Sequence, residues 1–244
     1  MRLFETLVTR LPYHIQGIAG GSEDLVIAFA SIGHDPSRAP SPEFVRSATA
    51  RDRSALFVMD EARSWATAEG FADTLRDALE ALQARQKISR ILAIGSSMGA
   101  FAALRAAQTL PLTAVLAISP QYQPAATWEP RWREWTQKLP ETLTAPLPQG
   151  PYLCLMHALQ DDAAQATLFP PQKGCDHLLF AEQAHATLAP HLKARGLVEG
   201  LIDAALSQDR RRACAQGRRP RHRRRGADGL RPRWKSRVGA WPAV

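Results

Sequence analysis

Cysteine is scarce in this chain: three residues in 244, at positions 154, 175 and 214. An odd number at wide spacing supplies neither a disulfide framework nor a zinc-ligand set. It fits a reducing compartment, and a cytoplasmic location is expected. No apolar run approaches the roughly 20 residues needed to cross a bilayer. The N-terminal MRLFETLVTR lacks the apolar centre of a signal peptide. No metal and no cofactor is expected.

Acidic residues are nearly missing from the C-terminal stretch. From Asp209 onward there are 13 Lys and Arg against two Asp and Glu, whereas residues 1–208 carry 18 basic and 21 acidic side chains. The overall charge of +8 therefore belongs to the tail, and the body is mildly acidic. The tail also lacks apolar periodicity, so residues 1–208 read as one domain and residues 209–244 as a disordered arm. Two readings of the arm stay open. One is contact with nucleic acid or another anionic surface. The other is translation of an altered reading frame, since Arg, Pro, Gly, Ala and Trp share GC-rich codons.

Continuous apolar runs are present at strand length. Leu25–Ala30, Ala55–Met59, Arg90–Ile94, Leu112–Ser119, Tyr152–Met156 and His177–Ala181 read as strands, most of them buried on both faces. Leu3–Thr9 and Tyr13–Ile18 read as two opening strands. Phe71, Leu75, Ala78, Leu79 and Leu82 form one stripe at helical spacing within Glu69–Lys87. Residues 42–50 read as a short helix, and residues 185–195 and 197–206 as two more, broken at Gly196. This alternation predicts an α/β fold, a mostly parallel central sheet with helices on both faces. In such sheets the reactive groups gather at the carboxyl ends of the strands.

Between the strand at residues 90–94 and an Ala-rich helical segment lies Gly95-Ser96-Ser97-Met98-Gly99, which fits G-x-S-x-G. A strand-to-helix turn this tight lifts its central side chain clear of the sheet. The glycines are needed because a Cβ at either position meets the neighbouring backbone. Ser97 is therefore the candidate nucleophile. The amide of Met98, at the start of the helix, is one candidate donor to an oxyanion.

With these residues in place, the body over residues 20–206 resembles the α/β-hydrolase superfamily. Three pieces are more narrowly similar to bacterial α/β hydrolases encoded near cell-surface polysaccharide and glycosyltransferase genes. They are Met59-Asp60 with Ser64-Trp65, the GSSMGA turn, and Ile118-Ser119-Pro120-Gln121. The resemblance implies a chain order of nucleophile, acid, histidine. His157-Ala158-Leu159-Gln160-Asp161 resembles the superfamily's H-G-x-x-D stretch with Ala158 for Gly, which puts the acid at Asp161. Asp162, next along, stays open, and either aspartate could instead cap a helix.

Two histidines compete as base. His177 stands at the start of the last strand, the wrong end for the site, whereas His185 follows that strand. His185 is the expected base and His177 the alternative, with His191 read as a surface residue. The second oxyanion donor falls to Ser31 or Ile32, because the loop after residue 30 reads Ser31-Ile32-Gly33 rather than H-G-G-G. Trp128, Trp132 and Trp135 share a helical face, either as a lid or as ordinary packing. The function expected is a serine hydrolase cleaving an ester through an acyl-enzyme. The substrate would be a small-molecule or carbohydrate ester. The rivals are acyl transfer to a carbohydrate hydroxyl and a non-catalytic binding protein of the same fold.

Overall fold

The structure, a computed structural model, describes residues 3–33, 35 and 37–217. Its strands are β1 (Glu5–Arg10), β2 (Tyr13–Ile18), β3 (Asp24–Phe29), β4 (Ser54–Asp60), β5 (Arg90–Ser96), β6 (Ala114–Ile118), β7 (Tyr152–Ala158) and β8 (Cys175–Phe180). They form one sheet in the order β1-β2-β4-β3-β5-β6-β7-β8. Pairing is antiparallel for β1–β2 and β2–β4 and parallel for every other neighbouring pair. The two opening strands thus form an antiparallel flap on an otherwise parallel sheet.

The helices are α1 (Val45–Thr49), α2 (Phe71–Gln83), α3 (Met98–Ala106), α4 (Arg133–Thr136), α5 (Ala163–Thr167), α6 (His185–Ala194), α7 (Leu197–Leu206) and α8 (Arg210–Gly217). Side chains along a strand alternate between faces. In β3, Leu25, Ile27 and Phe29 join one core, with α2 and α3, while Val26 and Ala28 join the other, with α1, α6 and α7. This two-sided burial explains why the central strands read as unbroken apolar runs. The stripe on α2 holds: Phe71, Leu75, Ala78, Leu79 and Leu82 are all buried. No helix among the described residues is long and apolar enough to cross a membrane.

Two expectations change. The three tryptophans do not share a helical face. Residues 130–132 form a 3-10 turn before the four-residue α4, which breaks the helical spacing. Trp128 is 47% exposed, while Trp132 is buried. The packed chain also runs beyond residue 208. In α8, Ala213 is fully buried in the second core, and Arg210 makes a two-pronged ion pair with Asp176 of β8. Ala213, Cys214 packed against the same core, and Arg210 over the Tyr152 ring and on Asp176 seat this helix, a pattern too short to register as periodicity. The remaining arginine-rich stretch, 218–244, lies outside the described residues, as does the reading of it as an anionic-surface arm.

Candidate active site

The G-x-S-x-G turn connects β5 to α3. Ser97 sits at φ 55°, ψ −124°, a strained geometry for a residue with a Cβ. The glycines permit it. A Cβ on Gly95 would lie 2.1 Å from the Gly99 carbonyl oxygen, and one on Gly99 would lie 2.3 Å from that of Phe29. Ser97 N–H donates to Ile118 O at 2.9 Å, tying the turn to β6. Met98 opens α3, so its amide is among those a helix leaves without an internal partner. Ser97 is 6% exposed and borders a cleft of ≈ 600 Å³. His185 and Trp132 border the same cleft.

His185 is the first residue of α6. Its Nδ1 lies 2.9 Å from both carboxylate oxygens of Asp162. Asp161, the expected acid, is not its ring partner. Its carboxylate accepts the backbone N–H of His185 at 2.6 Å and so caps α6, where a negative charge suits the helix dipole. The chain turns sharply after β7, with Asp162 N–H bonded to Ala158 O. The aspartates therefore diverge, and Asp162, the open alternative, meets the His185 ring in place of the expected Asp161. His177 lies within β8 and bonds His157 at 2.7 Å, apart from the Asp162 carboxylate. Its ring packs on His157 and Phe169, so the alternative histidine does not meet that carboxylate.

The Asp162 carboxylate is only 3% exposed. Burial raises its pKa, but hydrogen bonding and charge from His185, the nearby Ser119 hydroxyl and Arg131 outweigh that, and the net shift is downward. The carboxylate therefore stays ionised, and His185 Nδ1 must carry a proton to donate to it. Nε2 is then a bare acceptor in the neutral ring. That atom is buried with no hydrogen-bond partner among the described residues.

Arg131 was absent from the sequence reading. Its Nη1 donates to Asp162 at 3.0 Å, while Nε and Nη2 form a fork on Glu129 at 2.8 and 2.6 Å. The Glu129 contacts are the main reason its pKa is raised. Burial pushes the Glu129 carboxyl up, but Arg131 and Gln165 bring it below its ordinary value. The Trp132 ring packs on His185 with centroids 4.6 Å apart, and Arg131 lies over that indole at 5.2 Å. Residues 129–132 thus cover the His185–Asp162 pair. The signal was visible only as an unusual Trp-rich segment, since nothing local says which aspartate an arginine 31 residues away will meet.

The loop after β3 forms another wall. Ser31 donates both its amide and its hydroxyl to Glu43 Oε1, at 2.9 and 2.5 Å. That amide is engaged, so Ile32 is left of the two proposed oxyanion donors. Arg63, itself buried, donates to the carbonyls of Ile32, Asp35, Arg38 and Glu61 and holds the loop's course. Its guanidinium lies 5.0 Å from the Trp135 ring. Arg38, Glu43 and Lys193 line the outer cleft. No cluster of His, Cys, Asp and Glu among the described residues suits a metal ion.

No protein-family model matches this sequence, and no curated protein matches it. Solved structures do. A lidless α/β serine hydrolase from Xanthomonas campestris aligns at TM-score 0.54 and 15% identity, covering 81% of this chain and 92% of its own. An esterase from Pyrococcus furiosus aligns at TM-score 0.52 and 15% identity, covering 84% and 91%. The capsule O-acetyltransferase of Neisseria meningitidis serogroup A aligns at TM-score 0.55 and 11% identity, covering 78% and 92%. At these identities the likeness concerns architecture. Together with the eight-stranded, mostly parallel sheet and the tight turn that carries Ser97, it establishes that this chain has the α/β-hydrolase fold.

Proposed function

We propose that this protein is a serine hydrolase that cleaves an ester through an acyl-enzyme on Ser97, with His185 as base and Asp162 as its partner. The observation that carries the reading is the convergence on one cleft of a strained serine and a histidine paired to a buried carboxylate. A serine hydroxyl is a weak nucleophile until a base takes its proton. In this reading His185 Nε2 accepts the Ser97 proton as Oγ attacks the ester carbonyl, and then returns it to the departing alcohol. Asp162 fixes the tautomer and stabilises the imidazolium. The amides of Met98 and Ile32 face the charge that develops on the carbonyl oxygen. Water, activated by the same histidine, then frees the acyl group.

A second acceptor is also supported. Arg38, Ser41, Glu43 and Lys193 line the same cleft as His185, side chains suited to hydroxyl groups. The capsule O-acetyltransferase shares the architecture. A carbohydrate hydroxyl in place of water would make the same chemistry an acyl transfer.

The test is covalent labelling. A fluorophosphonate should add one mass increment to the protein, mapped to Ser97. The Ser97→Ala variant, with an unchanged melting temperature, should take up none and hydrolyse p-nitrophenyl acetate at least about 10³-fold more slowly. A folded variant with near-wild-type turnover sinks the reading.

A further inference from the structure

Beyond the three residues of that reading, a fourth side chain touches the reacting atom. Gln121 Nε2 donates to Ser97 Oγ at 2.8 Å, and Gln121 is 1% exposed. Its orientation is set from the other end. Trp65 Nε1 approaches Gln121 Oε1 at 3.4 Å. An indole N–H can only donate, so Oε1 faces Trp65 and the NH₂ group faces Ser97.

Trp65 is itself held from several sides. It is fully buried and sits at φ 53° in a turn with two other non-glycine residues at positive φ, Arg63 and Ala66. Asp60 Oδ2 accepts the Ser64 amide and hydroxyl, both at 2.8 Å, and the Ala66 amide at 3.4 Å. Arg105 of α3 donates to Ala66 O at 3.1 Å. Asp60, Ser64, Trp65 and Gln121 all come from sequence pieces outside the G-x-S-x-G turn. They form one connected path that ends on the nucleophile.

We propose that Gln121 is a catalytic residue that holds Ser97 Oγ as a hydrogen-bond donor. The proposal rests on Ser97 being the nucleophile. Because Gln121 supplies a hydrogen to Oγ, it competes for a lone pair and not for the serine proton. The Ser97 proton is left for an acceptor, and His185 Nε2 is the acceptor without a partner. In the first step the Oγ–carbonyl carbon bond forms while the proton passes from Oγ to Nε2. In the last step water, having given a proton to Nε2, bonds the acyl carbon, the Oγ–acyl bond breaks, and Nε2 passes that proton to Oγ. The Gln121 N–H stabilises the electron pair on Oγ at both moments, in a site where little water competes. Trp65 acts through Gln121 as a positioning residue.

The experiment compares Gln121→Met, Gln121→Ala and Trp65→Phe with the wild-type full chain. It measures the second-order rate of fluorophosphonate labelling at Ser97, kcat and KM for p-nitrophenyl acetate, and melting temperature. Methionine keeps the length and bulk of glutamine without a donor. A donor role predicts that Gln121→Met and Gln121→Ala both lose roughly 10- to 100-fold in labelling rate and kcat, with KM little changed. Trp65→Phe loses less, because Gln121 can still turn its NH₂ toward Ser97. A packing role predicts instead that Gln121→Met stays near wild type and only Gln121→Ala falls. That result, in a folded Gln121→Met, overturns the proposal alone. Absence of wild-type labelling at Ser97 overturns the hydrolase reading and, with it, the proposal.

Discussion

The two halves of the site are built in opposite ways. The half around Ser97 is local. Five consecutive residues fix Ser97, and the glycine contacts that permit the turn are with backbone at the end of the neighbouring strand β3 or one helical turn away. The half around His185 is assembled from distance. Asp162, His185 and the stretch that carries Glu129, Arg131 and Trp132 are three separate segments. The local half is therefore rigid against side-chain change and intolerant of backbone change. The assembled half should show the reverse, tolerating substitution in the backbone around it but not in the charges.

The sharpest break of that contrast is Gly99→Ala. The new Cβ would meet Phe29 O at 2.3 Å and Ala30 O at 2.9 Å, both backbone atoms of the neighbouring segment. Neither can rotate aside, so β3 and α3 must separate. The expected cost is about 3–5 kcal/mol, with loss of labelling at Ser97. Chemical denaturation and labelling measure it together, and an undisturbed midpoint would mean that the turn is looser than its contacts imply.

On the assembled half the comparison is between neighbouring aspartates. Asp162→Asn should lower kcat roughly 10³–10⁴-fold, because the amide can no longer hold the Nδ1–H tautomer that leaves Nε2 free to accept. Asp161→Asn removes a charge from the start of α6 and should cost about 0.3–1 kcal/mol in stability, with less than about a tenfold change in kcat. Steady-state kinetics and melting curves on both variants decide it. Equal losses in kcat would return Asp161 to the reaction.

The same contrast explains what could be read in advance. Alternating burial, strand lengths and the stripe on α2 were legible because each depends on residues close in sequence. So was the tight turn at Ser97, since Gly95 and Gly99 flank it. The carboxylate that meets the His185 ring lies one position beyond the expected Asp161, because a pattern match fixes where an acid falls on the chain, whereas the turn after Ala158 fixes where its carboxylate points. Ser31 read as a free amide because Glu43, twelve residues on, carries no local sign that it will take that N–H. Gln121 was noticed only as part of a resemblance. Its bond to Ser97 needs β5 and β6 to be neighbours and Trp65 to arrive from the turn after β4.

The smallest effect at neutral pH concerns a buried pair between the two halves. His157 Nε2 donates to Pro120 O at 2.9 Å, and Nδ1 lies 2.7 Å from His177 Nε2. With Nε2 protonated, Nδ1 of the neutral ring accepts from His177. Protonating His157 would place two hydrogens between the rings. Burial, followed by the nearby His177, lowers the His157 pKa from 6.5 to about 4, while Pro120 and Asp162 act the other way. The sign follows from linkage. The unfolded chain binds the proton more readily, so stability falls as pH drops from about 6.5 toward 4 and then levels. The shift corresponds to something on the order of 3 kcal/mol. Asp60, raised by burial, acts in the opposite sense at low pH, so the difference between variants isolates the histidine better than the absolute slope. His157→Gln should therefore remove most of the wild-type loss between pH 6.5 and 4 while changing kcat little at pH 8. Urea denaturation across that range measures it. Parallel slopes in the two proteins would mean that the pair opens to solvent and that the segment carrying Gln121 is less firmly held than its contacts indicate.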